Sequence, residues 1–177
     1  MKKLIMILSM ALILCFMVGC QDKAAMAELD EFKAQAALEE QNEALVMRYA
    51  EAFANGDIEA IKEIVSPDYV LHVSGKDKSL EDTIVTLKRQ MVMFPDRTGS
   101  AEEIFAKGDK VILRYIFRAT HGGDVEGSPA TGNKIEADGI EILRVENGKI
   151  VESWELFDSM SYALQIGFEL KKKEEET

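Results

Sequence analysis

The sequence predicts an α+β domain in which short helices lie across one face of a curved antiparallel sheet and leave a cone-shaped space between the layers. Three observations carry this reading. Apolar residues recur at helical spacing mainly in the first half of the chain, three strand-like segments of about ten residues occupy the second half, and turn residues separate them.

In order, residues 21–40 (QDKAAMAELDEFKAQAALEE) are rich in Ala, Glu and Lys without Gly or Pro, which predicts a polar helical tether. From Asn42 the spacing of Leu45, Tyr49, Ala52 and Phe53 defines a first core helix, closed by Asn55-Gly56-Asp57. A second helix is expected over Ile58–Val65 before Ser66-Pro67-Asp68, then a short strand Tyr69–Val73. Ser79 or Leu80 opens a third helix with Ile84, Leu87, Met91 and Phe94 on one side, and Pro95 stops it. A weak strand Ser100–Ala106 and the turn KGDK lead to a strong strand Val111–Thr120. His121–Gly132 consists of turn residues, and another strand runs Lys134–Val145. Asn147-Gly148 signals a hairpin into Ile150–Phe157, followed by a helix Met160–Phe168 and a charged tail over 171–177. The folded domain is expected over residues 41–170.

The formal net charge is −11, and without residues 1–20 it becomes −13, with 19 basic against 32 acidic residues. Such a surface repels phosphate backbones, and no basic-aromatic patch relieves it, which argues against nucleic-acid binding. The start, MKK followed by LIMILSMALILCFMVG and Cys20, has the charge, apolar length and small residue of an export signal. Met17-Val18-Gly19-Cys20 resembles the lipobox of bacterial lipoproteins, though Met17 stands where Leu is usual. The resemblance implies cleavage before Cys20, lipidation of its thiol and a location in the bacterial cell envelope outside the cytoplasm. Two or more acyl chains hold firmly, since each buried CH₂ contributes about 0.8 kcal/mol. An ordinary cleaved signal with an incidental cysteine is the alternative. Cys15 leaves with the signal, so the mature domain is expected to contain no disulfide, thiol nucleophile or cysteine metal site.

Three stretches carry a family resemblance: the T-H-x-G…P-x-T-G loop (Thr120–Gly132), the G-I-x-I-x-R strand (Gly139–Arg144) and the W-x-x-x-D ending (Trp154–Asp158). With the helical segment from Asn42, they resemble the SnoaL-like branch of the nuclear transport factor 2-like fold over about Asn42–Gly167. The resemblance implies a curved antiparallel sheet wrapped by helices around an apolar pocket. Some members of that family are polyketide ester cyclases that close a ring by intramolecular aldol reaction, using an aspartate near the end of the last strand as acid/base. Asp158 matches that place.

Strand alternation puts Glu152, Trp154, Leu156 and Asp158 on one face. Trp154 and Leu156 are therefore expected to wall the pocket, with Glu152 a second carboxylate or a rim residue. Apolar surroundings raise a carboxyl's pKa and make proton transfer workable in both directions, so Asp158 is the expected proton shuttle. It also sits where a cap for the last helix would sit. His121, in phase with Tyr115 and Phe117 on the apolar face of its strand, and His72 are candidate polar helpers. The alternative for both is a partly buried, hydrogen-bonded histidine.

No metal spacing, nucleotide loop, Gly-rich cofactor turn or nucleophile elbow occurs, so no metal or cofactor is expected. The expected partners are a small apolar molecule and the membrane. Arg114 and Arg118 alternate onto the other sheet face, which in this fold class often meets a second subunit; a homodimer through that face is expected. The alternative is a solvated face on which they pair with Glu141 or Glu155. Acid/base cyclisation or isomerisation, plain ligand binding and an envelope interaction module remain the rival functions.

Overall fold

The computed structural model describes residues 23–171 apart from Glu126, Ser128 and Leu170. The expected signal peptide, lipidation at Cys20 and the tail from residue 172 lie outside the described residues. Helix α1 (Lys2–Asn55) belongs to two compact units, residues 1–38 and 39–177. In the first unit the described residues are helical and nearly all exposed. No described helix is long and apolar enough to cross a membrane.

The second unit holds everything else. After α1 come α2 (Ile58–Ile64), β1 (Val65–Val73), β2 (Lys76–Ser79), α3 (Leu80–Met93), β3 (Thr98–Lys107), β4 (Lys110–Thr120), β5 (Lys134–Glu146), β6 (Lys149–Phe157) and α4 (Ser159–Gln165). Helices α2, α3 and α4 each start where a side chain accepts from an orphan amide. Asp57 caps α2 through Ala60 N at 3.0 Å, and Ser79 with Asp82 forms a reciprocal capping box on α3. Gly56, at φ 70°, takes the left-handed turn that ends α1.

The strands form one six-stranded sheet in the order β2-β1-β6-β5-β4-β3. The expected curved antiparallel sheet carries one parallel pairing, between β1 and β6; the other neighbours are antiparallel. A parallel neighbour needs a long crossover, and everything from β2 to β5 supplies it. β1 also begins at Val65 rather than Tyr69, and β2 was not foreseen. At the far edge, α1 side chains complete the end of β3: Glu43 accepts from Ala106 N at 2.8 Å, Glu39 accepts from Gly108 N at 2.9 Å, and Asn42 donates to Gly108 O at 3.0 Å.

Two apolar clusters fasten the helices to one sheet face. In the larger, Val46, Tyr49, Ile61 and Leu87 pack on Val111, Leu113, Leu143 and Ile150. The smaller joins Met93 and Phe94 to Ala119, Ile135 and Ile166. One irregularity matters later. Ile150 opposes Val145 but Glu152 opposes Arg144, so Val151 is an extra residue on β6. Such a bulge switches which alternate residues face inward. Beyond it, Ser153, Glu155 and Phe157 face the helices, and Glu152, Trp154 and Leu156 face away.

Candidate functional site

Between the sheet and the helices of the second unit lies a cavity of about 640 Å³. Its walls are largely apolar, with Leu71, Phe94, Leu113, Phe117 and Phe157 among them. Among the polar side chains that the sheet projects into this lining are Tyr115 from β4, Glu141 from β5 and Glu155 from β6.

Glu141 and Glu155 are direct cross-strand partners on the inner face. Glu141 is only 6% exposed. Burial, then the negative charge of Glu155, push its carboxyl up to about 8, with a hydrogen bond from Ser153 opposing them. At neutral pH Glu141 is thus mostly protonated. Glu155 accepts a short hydrogen bond from the Tyr115 hydroxyl. Burial and the charge of Glu155 hold the Tyr115 phenol far above its usual range, so it serves as a donor. Behind the pair, the Tyr69 hydroxyl and Ser153 Oγ share a hydrogen bond of 2.6 Å, and burial raises the pKa of both Tyr49 and Tyr69. The acids therefore neighbour a buried layer of hydrogen-bonded hydroxyls.

Gly139 makes this arrangement possible. It opposes Tyr115 in the β4–β5 ladder, and a Cβ there would lie 2.2 Å from the phenol ring carbon Cζ. The ring folds over the glycine and so delivers its hydroxyl to Glu155. Any side chain at 139 would displace it.

The family model for SnoaL-like polyketide cyclase matches residues 43–166. The chain belongs to this family. Among solved structures, this SnoaL-like domain is similar to AclR, a candidate hydroxylase from Streptomyces galilaeus, at 28% identity and a TM-score of 0.68, covering 73% of this chain and 97% of that one. It is similar to IdmH, a candidate polyketide cyclase from Streptomyces antibioticus, at 30% identity and a TM-score of 0.65, covering 72% and 99%. A candidate polyketide cyclase from Bacillus cereus matches at 26% identity and a TM-score of 0.62, covering 72% and 80%. No curated protein matches the sequence significantly.

Of the residues the sequence singled out, Tyr115 and Phe117 line the SnoaL-like cavity. Trp154, Leu156 and Glu152 do not, and the expectation that they wall it is corrected. The bulge at Val151 turns them to the opposite face, where Leu156 is 78% exposed. Asp158 is corrected likewise. It is exposed, is not among the lining residues, and caps α4 by accepting from Ser161 N at 3.0 Å.

His72 also faces outward, in a cluster with its strand partner Trp154. The two rings stack at 5.2 Å, Nδ1 lies 2.7 Å from Asp77, and Nε2 lies 2.9 Å from Glu152, which also accepts from Arg144. His121 is buried but lies outside the cavity lining. Its ring lies 5.6 Å from that of Phe94 and its Nδ1 lies 3.1 Å from Thr131 Oγ1, while its backbone bonds Asn133 and Gly132 and closes the loop base. On the outer face Arg114 pairs with Asp138 and Glu103, and Arg118 with Glu136; pairing with Glu141 or Glu155 is ruled out because those acids point inward.

Glu141 and Glu155 were missed as site residues because a carboxylate in a strand reads as a solvent-facing position. A signal existed in β5. Ile135, Ala137, Gly139, Leu143 and Val145 are in phase with Glu141, making it the one acid in an otherwise apolar row.

Proposed function

We propose that this SnoaL-like domain binds a small, mostly apolar molecule carrying a carbonyl group and moves a proton on it, in an isomerisation or ring closure. The observation that carries this is the Glu141–Glu155 pair, one acid and one carboxylate facing the same apolar cavity. Two like groups at such range cannot both ionise cheaply, so environment divides the roles.

Glu155 is the base. It takes the proton from a carbon next to the ligand carbonyl, and the electron pair moves onto the carbonyl oxygen. Neutral Glu141 hydrogen-bonds that oxygen and supplies its proton, giving the enol. Return of the proton from Glu155 to a different carbon, with Glu141 regaining its own, completes an isomerisation. Attack of the enol carbon on a second carbonyl in the same molecule, with the enol O–H proton returning to Glu141 as the first carbonyl re-forms and the proton held by Glu155 passing to the new alkoxide, completes an aldol closure. Tyr115 keeps Glu155 aimed. That same hydrogen bond favours a second reading, a non-catalytic binding domain whose acids only orient the ligand. The role expected for Asp158 passes to this pair. Export and a lipid anchor at Cys20 belong to the proposal as well, supported by the basic start, apolar run and Gly19-Cys20. Homodimerisation through the outer sheet face remains part of it, supported by exposed Ile140 and Leu156 there.

Hydrogen–deuterium exchange tests the chemistry without knowledge of the natural ligand. A panel of aromatic ketones with acidic α-protons is incubated in D₂O and followed by NMR. Exchange above the buffer rate, lost in Glu155→Gln, is the expected result. Binding without exchange across the panel would leave the domain a carrier.

A further inference from the structure

The cavity contains a cation that the proton-transfer reading does not use. Arg97 sits in the link between α3 and β3 and lines the cavity beside Phe53. Its backbone is fixed: Arg97 N donates to Phe94 O at 3.2 Å, and the neighbouring Asp96 accepts from Thr120 N at 2.7 Å. Nη2 donates to Phe53 O at 2.6 Å, and Cζ lies 5.3 Å from the centre of the Phe53 ring. The rest of the guanidinium is unsatisfied, since Nε and Nη1 are buried without a hydrogen-bond partner among the described residues. Burial is the sole cause acting on its ionisation, and no described carboxylate compensates the charge. A guanidinium stays charged in proteins, so the desolvation is borne by the fold unless an anion meets it.

The other charged lining residues do not supply that anion. Glu51 is exposed and forms no ion pair with Arg97, and Lys78 is itself a cation. The Glu141–Glu155 pair lies elsewhere in the sheet. Along β4, the partner of Glu141 is Leu113 and the partner of Thr98, next to Arg97, is Arg118. Those positions are separated by about 17 Å of strand at about 3.4 Å per residue, a span that the long arginine side chain shortens. The cavity thus has a cationic end and a carboxylic end joined by apolar wall.

We propose that Arg97 is the anion-recognition residue of this cavity, so that the bound molecule is an extended aromatic acid. Its carboxylate pairs with the Arg97 guanidinium while its other end reaches Glu141 and Glu155. The inference rests on the cavity being a ligand site, as proposed above, and adds the ligand's charge and orientation. Guanidinium–carboxylate pairing is strong and directional, and Arg97 is the cation that lines the cavity beside Phe53.

The test uses two fluorescent probes of the same shape, anthracene-2-carboxylate and anthracene-2-carboxamide, titrated into the full chain at neutral pH. The wild type should bind the carboxylate about tenfold more tightly than the carboxamide, and only the carboxylate should raise the melting temperature markedly. Arg97→Gln should weaken the carboxylate to the level of the carboxamide and leave the carboxamide unchanged, whereas Arg97→Lys should keep part of the preference. Equal affinities in the wild type would overturn the proposal without any variant, as would a preference that survives in Arg97→Gln. Carboxamide binding would then still stand as support for the cavity. Failure of both probes to bind the wild type would remove the ligand-site reading and this inference together.

Discussion

Glu141 and Glu155 stand opposite each other on neighbouring strands, side chains facing one apolar cavity. Like charges directly opposite in a sheet are destabilising. The pair persists because Glu141 keeps its proton well above the ordinary carboxylate range. That arrangement has a measurable signature.

The folded pKa of Glu141, about 8, lies above its unfolded value of 4.5. A raised pKa gives a contribution that is full below the unfolded value and is lost as pH rises through the folded one. Between them, stability should fall by at most about 1.4 kcal/mol per pH unit from this group. Glu141→Gln removes the titration. The melting temperature of the variant relative to wild type should therefore climb steadily over that interval. Parallel pH–melting curves would show that Glu141 is not held protonated.

Tyr115→Phe removes the donor to Glu155 and keeps the ring. It should leave the melting temperature within a few degrees and change any exchange rate on the ketone panel, because Glu155 loses the donor that aims it. Gly139→Ala should act on the same hydrogen bond by pushing the ring aside, at a packing cost of about 1–3 kcal/mol. If Gly139→Ala leaves both stability and exchange untouched, the ring does not rest on residue 139.

Asp158 is expected to matter for stability alone. Asp158→Asn keeps a good cap and should change little, while Asp158→Ala should lose about 1 kcal/mol, because α4 positions Tyr162 and Ile166 against the smaller apolar cluster. Ligand exchange should be indifferent to the Asn variant. A large loss of exchange in Asp158→Asn with unchanged melting would restore Asp158 as the proton shuttle.

The outer cluster gives an optical prediction. Hydrogen bonds from Glu152 and Asp77 raise the pKa of His72, and His72 with Arg144 lowers that of Glu152. The His72 contribution is complete below about 6.5 and lost as pH rises through its folded value; the Glu152 contribution is present above about 4.5 and lost as pH falls through its folded value. Trp154, the only tryptophan, stacks on His72. Its fluorescence should titrate with a midpoint above 6.5, and cavity ligands should barely disturb it. A midpoint below 6.5, or strong quenching by the anthracene probes, would contradict the outward placement.

Cys20→Ser should abolish labelling by a fatty-acid probe and release the protein from the membrane fraction. Labelling that persists in the variant would exclude lipidation at this residue.

The sequence by itself determined the fold class, the helix-then-strand order, the helix start at Ser79, the cap at Asp158 and the Asn147-Gly148 hairpin. Each of these depends on local chemistry: spacing of apolar residues, a side-chain acceptor before a helix, a backbone that tolerates positive φ. It also placed Tyr115 and Phe117 on the inner face, because β4 alternates without interruption there. Tertiary structure decided the rest. One extra residue, Val151, exchanged the two faces of β6, sending Trp154 and Leu156 outward and bringing Glu155 into the cavity. Strand periodicity identifies two faces but not which is inner after a bulge, because a bulge is a property of two paired strands. The parallel placement of β1 beside β6 is of the same kind, since residues more than eighty positions apart have to meet to form it. So is the pairing of Glu141 with Glu155. Glu155 does not differ in sequence from a surface glutamate, and Glu141 differs only by its apolar row; their opposition across a ladder, with Glu141 buried, makes Glu141 keep its proton.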